Sequence, residues 1–470
     1  MTILIIINNH NSFKIIDFVK SLSTPEKPID FMLACEPNFL SQIESKTPEN
    51  LKKTFVLNTE FKDTLAPRIG KQSNLIFEDA STTSQQPMHK KILRFIKSIL
   101  IENLFINIAK EIIIFKRLQS SKTQALNYLK TLKPIAVMSN SDRSHDYAES
   151  SFHWAAKQLG IKVILPYVAN YSLEGAISVR VDHKGKLIGN LNTVFPPSLY
   201  KYYSRWNLKN QIYQKCFYQV PYLLNAHKRN GTLSEYPWWF GFGLSDITCV
   251  NSQYTKDIYL SHGVSENKIV ITGDAVNADI YQSYSRRQNI RNDLISKYNL
   301  SLNKKIVVLS LPQHAEQGRM HWDTHIDEIE FIVGTAAELD IHLLLSLHPR
   351  QKNSDYTFLA KKYKCQILNE PFSYVVGAID VFLCSGSSTM VWSVLCEVPT
   401  MNFDFNFGYD LYDYLTSVKV VRKREDYKPG LIQLISGDKP LFENDWKQLS
   451  RKEVFQENFT NNIVSNLFGK

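Results

Sequence analysis

The chain has 470 residues, more than one ordinary hydrophobic core serves, and the length suits two α/β domains of roughly 150–250 residues each. With 44% hydrophobic and 21% charged residues it has a globular balance, which excludes a disordered or fibrous chain. Glycine is scarce at 18 residues and no G-x-G-x-x-G or G-x-x-x-x-G-K-[ST] run occurs, so classical dehydrogenases and P-loop nucleotidases drop out, while 55 Lys and Arg against 45 Asp and Glu (net +10) ask for an anionic partner.

Ile3-Leu4-Ile5-Ile6-Ile7 is a continuous apolar run with no basic residue before it, and it reads as a strand buried on both faces rather than a signal peptide. Ser12 is placed to cap a helix over Phe13 to Leu22. Over residues 89–122, Ile92, Phe95, Ile96, Ile99 and Leu100 follow helical spacing, with Lys90, Lys91, Arg94 and Lys97 between them. This predicts a basic amphipathic helix, suited to a core or to an anionic membrane face. Glu102, Lys110 and Glu111 interrupt it, leaving no clean run of the ~18–20 residues a membrane span needs.

The next apolar runs are 135–138 and 162–165, with a helix from Tyr147 to Leu159 between them. Residues 194–245 are rich in Tyr and Trp, including Tyr200, Tyr202, Tyr203, Trp206, Trp238 and Trp239, and read as a helical insertion facing an acceptor. A strand at 246–250, a helix from Ser252 to about His262-Gly263 and a strand at 268–273 follow. After a polar stretch at 284–303, a second series runs through 305–309, 341–345, 381–384 and 400–403. The expected fold class is therefore α/β with two doubly wound domains, over 1–285 and 304–440, and a helical tail over 441–470 that returns to the first domain. The six cysteines lie apart with no C-x-x-C pair, as reduced thiols buried in a cytoplasmic protein would.

In parallel sheets the chemistry sits just beyond the carboxyl ends of strands. Here those places hold Pro312-Gln313-His314-Ala315-Glu316, then Ser346-Leu347-His348-Pro349-Arg350, then Ser385-Gly386-Ser387-Ser388-Thr389. Imidazoles, a guanidinium and hydroxyls at a helix start together make a site for phosphate oxygens. In the first domain Asp142 follows a strand, and such a carboxylate can act as a general base or nucleophile at an anomeric carbon; His145 is its rival. His314, His321 and His325 lie near Glu316 and Asp323 but read as solvated, so no metal is expected. The basic charge is dispersed and no recognition motif for nucleic acid occurs.

The segment Ser245–Tyr281 resembles the interdomain passage of GT-B glycosyltransferases and of the related hydrolysing UDP-N-acetylglucosamine 2-epimerases and wall-polymer glycerophosphotransferases. His348-Pro349 is similar to their His-Pro motif, and Ser385 through Asn402 to their serine motif, short helix and P-T-x-N strand. Bacterial sialyltransferases and Kdo transferases also use His-Pro and Ser-Ser motifs around the donor phosphate. The resemblance covers about residues 135–175 and 245–415. It implies two Rossmann-like domains facing a cleft (GT-B), with Gln313, His314, Glu316, His348, Arg350, Ser385, Ser387, Ser388 and Thr389 on the donor. It also carries a catalytic role onto Asp142 and Glu174, by likeness to the epimerase stretch in which an Asp and a Glu face the sugar.

One departure matters: where many of these enzymes place a Glu for the ribose hydroxyls, this chain has Trp392, which cannot accept a hydrogen bond. A CMP-linked acidic sugar such as Kdo is compatible with that change. The expected function is a metal-independent glycosyltransferase, cytoplasmic or peripheral at the inner face of the cell membrane. It would use a nucleotide-sugar donor, no cofactor, and a glycan or lipid-linked glycan acceptor of surface polysaccharide or lipopolysaccharide. The alternatives are a nucleotide-sugar 2-epimerase or hydrolase, and a non-catalytic glycan- or membrane-binding protein.

Overall fold

A computed structural model of the chain describes residues 2–8, 12–23, 28–35, 39, 51–56, 88–144, 147–168, 207–208, 216–217, 221–348, 351–407, 412–437, 439–457 and 459–468. It divides into two units, Met1–Cys249 with Ile258–Val270, and Val250–Asp257 with Ile271–Lys470.

The first unit is built on strands β1 (Thr2–Ile7), β2 (Asp30–Cys35), β3 (Leu51–Val56), β4 (Ala136–Met138), β5 (Lys162–Leu165), β8 (Ile247–Val250) and β9 (Ile269–Ile271), in the order β3-β2-β1-β4-β5-β8-β9. The registered pairs from β3 through β8 are parallel, and Ile3–Ile7 of β1 are all apolar because the strand lies mid-sheet, paired with both β2 and β4. The helices Phe13–Leu22, Met88–Leu132 and Tyr147–Gln158 belong to this unit; Ala125, Leu129, Phe152 and Ala155 of the latter two pack on Leu4, Ile6, Val137 and Val163. Ser12 stands at the expected helix start but donates to Asn8 Oδ1 (2.9 Å) instead of capping. The short strands β6 (Asn207–Leu208) and β7 (Cys216–Phe217) pair with each other, and the helix Pro221–Asn230 follows. Trp238 and Trp239 are buried, so this part of the aromatic insertion is core instead of an acceptor face. Tyr200, Tyr202, Tyr203 and Trp206 lie outside the described residues.

The second unit carries strands β10 (Lys305–Ser310), β11 (Ile341–Ser346), β12 (Cys365–Ile367), β13 (Val381–Cys384), β14 (Thr400–Phe403) and β15 (Val418–Val421), all parallel, in the order β12-β11-β10-β13-β14-β15. That is the doubly wound order, whose direction reverses between β10 and β13. One face packs under Ile329, Ile332 and Val333 of the helix Trp322–Ala337, the other under Met390 and Val394 of the helix Thr389–Leu395. The two doubly wound α/β domains expected from the sequence are present.

The polar stretch at 284–303 is mostly a helix, Arg287–Tyr298, whose Ile290, Leu294 and Tyr298 recur every fourth residue and are buried. The tail groups with the second unit, where Trp446 Nε1–H donates to Val394 O (3.1 Å). That unit also takes in Val250–Asp257: Gln253 N–H donates to Ser450 Oγ (2.8 Å) and Tyr254 stacks on Tyr414 with centroids 3.7 Å apart. Cys249, Cys365, Cys384 and Cys396 are free and buried, as expected of small apolar side chains, and burial pushes the Cys365 thiol up to about 11.

Candidate functional site

The loops leaving β10 and β13 emerge side by side at the reversal point of the second sheet, because those strands are paired neighbours. After β10, the chain turns at 314–318 and brings Gln313, His314 and Glu316 into a buried polar group. His314 Nε2 lies 3.7 Å from Glu328 Oε1, and His325 Nε2 lies 3.7 Å from Glu316 Oε2. Tyr356 O–H donates to Glu316 Oε1 and Gln351 Nε2–H to the Tyr356 hydroxyl (3.2 Å). Glu328 is also bound by Asn406 Nδ2–H, and Arg424 approaches it at 3.9 Å. Asp404 accepts from the Phe407 N–H (2.8 Å) and from Arg422 (3.3 Å).

Two acceptors in this group, Gln313 Oε1 and Glu316 Oε2, are buried without a donor, and His325 Nδ1 is likewise unpaired. Burial and the neighbouring His325 ring push His314 down to about 4, burial lowers His325, and burial raises the Glu328 carboxyl. At neutral pH His314 and His325 therefore offer hydrogen bonds and no charge. His325 is buried against Trp322 and Tyr356, which corrects the expectation that it is solvated: the helix turns that face onto the sheet.

After β13, Gly386 adopts a left-handed φ of 55° and its N–H donates to Asn402 Oδ1 of β14 (3.0 Å). Ser387 Oγ meets Thr389 Oγ1 at 2.8 Å and receives the Thr389 N–H at 3.4 Å, which starts the helix Thr389–Leu395; Ser388 is exposed and Ser385 half-buried. After β11, the His348 N–H donates to Gln351 Oε1 (2.8 Å), and Gln351 Nε2–H also reaches Pro312 O (3.0 Å), tying the two loops together. Arg350 lies outside the described residues. Trp392 is half-buried and stacked on Phe372, with centroids 6.2 Å apart, so its indole packs on the core.

In the first unit, Asp142 is buried and both its oxygens are engaged. Gly241 N–H donates to Oδ1 (3.0 Å), and Gly243 N–H (2.9 Å) and Ser245 O–H (2.6 Å) donate to Oδ2. These donors lie in the segment entering β8, about a hundred residues away in sequence, and no local signal in the sequence points to them. A Cβ on Gly243 would stand 2.1 Å from Asp142 O, so glycine is required by the approach itself. The same loop is fixed by Ser144, which donates to Thr232 O (2.7 Å), and by Glu149, which accepts from Ser141 N–H (3.1 Å). Three donors on a carboxylate shut from water make Asp142 a clamp. His145 and Glu174 lie outside the described residues. The clamped segment forms one wall of a cavity of about 540 Å3, whose lining includes Glu235, Tyr236, Phe242, His262 and Lys268. Lys268 Nζ donates to Gly241 O at 3.3 Å.

Glu328, Asp404 and Asn406 complete the second-unit group without having been singled out in the sequence. The signal available was an acid at a core-facing position of a helix, since Glu328 precedes the buried Ile329 and Ile332. Among the described residues there is no group of three or more His, Cys, Asp or Glu able to hold a metal ion.

No protein-family model matches the chain, and no curated protein matches it by sequence. Among solved structures it is similar to CalG4, the calicheamicin glycosyltransferase, with a TM-score of 0.51 and 10% identity over 99% of this chain and 98% of that one. It is also similar to a glycosyltransferase from Rickettsia africae ESF-5 (TM-score 0.49, 13% identity, 99% and 97% covered). A third is the UDP-GlcNAc 2-epimerase from Neisseria meningitidis solved bound to UDP-GlcNAc (0.47, 13%, 100% of both chains). At these identities the likeness is one of fold, and the CalG4 match bears on it: the chain shares the two-domain α/β architecture of that glycosyltransferase.

Proposed function

We propose that the protein is a glycosyltransferase that moves a sugar from a nucleotide-activated donor to a glycan or lipid-linked glycan acceptor of a surface polysaccharide. The observation that carries this is the pair of buried, donorless acceptors, Gln313 Oε1 and Glu316 Oε2, at the reversal point of a doubly wound sheet. Acceptors without donors suit a ligand rich in hydroxyls, because leaving them unmade costs about 1–3 kcal/mol each. The hydroxyls of Ser387, Ser388 and Thr389, with His348 and Arg350, supply donors for the phosphate oxygens. On the acceptor side, the first-unit cavity offers the Tyr236 ring beside Glu235 and Lys268, a surface on which a sugar stacks and hydrogen-bonds. The donor we favour is CMP-linked, an acidic sugar such as Kdo, with a lipopolysaccharide acceptor; Trp392 packs on Phe372, so the ribose hydroxyls of any nucleotide would be met by other residues.

The test is a melting-temperature panel of UDP, CMP, CDP and GDP, followed by donor turnover with and without acceptor. CMP or CDP should stabilise the protein and transfer should require acceptor. Free monosaccharide released from donor alone would replace this reading with a hydrolase or epimerase. No shift with any nucleotide would leave a glycan-binding protein. Glu316→Gln should raise the donor KM about tenfold with little change in kcat, as loss of a hydrogen bond made equally in the ground and transition states does.

A further inference from the structure

The 45-residue helix Met88–Leu132 carries nine Lys or Arg against two Glu, and so supplies seven of the chain's net ten positive charges. One side of it is anchored: Ile114 and Leu118 are buried against Tyr147, Leu223 and Ala226, and Glu111 is held by Asn225 and Arg229. On the other side, described residues are exposed. Ile108 and Ile112 are each 46% exposed and Ile113 is 41% exposed, and their spacing puts them on one face together with exposed Ala109. Lys116, one turn beyond Ile112, is exposed on the same face.

We propose that this face docks on an anionic lipid bilayer, with the helix lying along the membrane surface. A bilayer interface offers an apolar boundary for isoleucine and negative headgroups for lysine at the same depth, and both features are needed to explain why exposed aliphatics sit beside Lys116 in the most cationic element of the chain. No helix among the described residues is long and apolar enough to cross a membrane, so the element lies on the surface instead of spanning it. A second copy of the chain is a poor occupant, since it would press two strongly cationic helices together. The inference goes beyond the proposed reaction and stands apart from it, because none of these residues belongs to the donor group.

Co-sedimentation tests it, using the full chain with vesicles of phosphatidylcholine alone or mixed with phosphatidylglycerol. The protein should pellet with the mixed vesicles and much less with the neutral ones, and added salt should release it. Ile112→Ser with Ile113→Ser should weaken binding about tenfold, since each side chain has only its exposed part to bury. Lys116→Glu, which leaves the apolar face intact, should weaken it several-fold on mixed vesicles alone. Melting curves with and without nucleotide should be unchanged in both variants, which separates loss of docking from loss of fold or of donor binding. Equal binding to both vesicle types, unchanged binding in the double variant, or a dimer in solution that the double variant dissolves would each overturn the proposal.

Discussion

Replacing Asp142 by Asn leaves one acceptor oxygen where two now serve three donors, and turns an amide N–H₂ toward another donor. Bonds to a charged, buried carboxylate contribute about 1.5–3 kcal/mol each, so Asp142→Asn should cost about 2–4 kcal/mol and lower the melting temperature visibly. Turnover measured well below the new transition should then return to within a few-fold of wild type. A general base would give the opposite pattern, an unchanged melt with turnover lost at every temperature. The buried histidines set a second expectation at this scale. His153 Nε2–H donates to Ser139 Oγ (2.7 Å), whose own proton goes to Ser141 O, and burial holds the ring at about 4, against smaller upward pulls from Asp142 and Asp246. His227, stacked on Tyr147, is held by burial at about 3. Both folded-state values lie below the unfolded value of about 6.5, so the unfolded chain binds protons first as pH falls. Stability should therefore be full above pH ~7 and be lost from about 6.5 downward toward 4. Each histidine approaches about 1.4 kcal/mol per pH unit there, and urea melts at pH 7.5 and 5.5 measure it. If His153→Gln with His227→Gln left that slope unchanged, the two rings would not be its source.

Elements were legible in the sequence to the extent that their burial was continuous. Ile3–Ile7 of β1, Ile306–Leu309 of β10, Leu343–Leu345 of β11 and all of β13 are unbroken apolar runs because these strands pair on both sides, and the helix Phe13–Leu22 has the expected bounds. The expected strands do not include β3, β12 and β15, which end their sheets; Gln366 of β12 is exposed and Lys419 of β15 half-buried, as polar residues on an edge that faces water are. They also missed β2, an inner strand next to β3. The helix Arg287–Tyr298 was hidden by composition, since only three of its twelve positions are buried. At the donor group, the loops were found because a parallel sheet exposes its strand ends in a known place. The partners Glu328, Asp404 and Asn406 come from other elements and only packing reveals them. Packing likewise makes Gly377 a sharp test of how the helix Asn277–Ser285 seats. Its N–H donates to Ser283 Oγ (2.8 Å), and an added Cβ would stand 2.6 Å from Tyr284 Cα and N. The obstacle is backbone, which cannot rotate away. Gly377→Ala should cost about 1–3 kcal/mol, read as a lower urea midpoint at unchanged slope.

At the scale of the whole chain, the division into units does not follow the order of the sequence. Val250–Asp257 leaves β8 of the first sheet yet belongs to the second unit, where Tyr254 lies flat on Tyr414 and Ser450 receives the Gln253 N–H. A side chain that departs the first sheet therefore helps hold the second unit. Because the residues proposed to bind the donor lie wholly in that unit, a bound nucleotide would mark its unfolding: a ligand at a hundred times its Kd raises the stability of the unit that binds it by about 2.7 kcal/mol. Tyr254→Ala should remove a stacked ring worth about 1 kcal/mol, together with its buried area, for a total of about 2 kcal/mol. The loss should fall on the transition that nucleotide raises, and the other transition should stay in place. Calorimetry of the full chain with and without CMP distinguishes the two, and a shift confined to the nucleotide-insensitive transition would place residues 250–257 with the first unit.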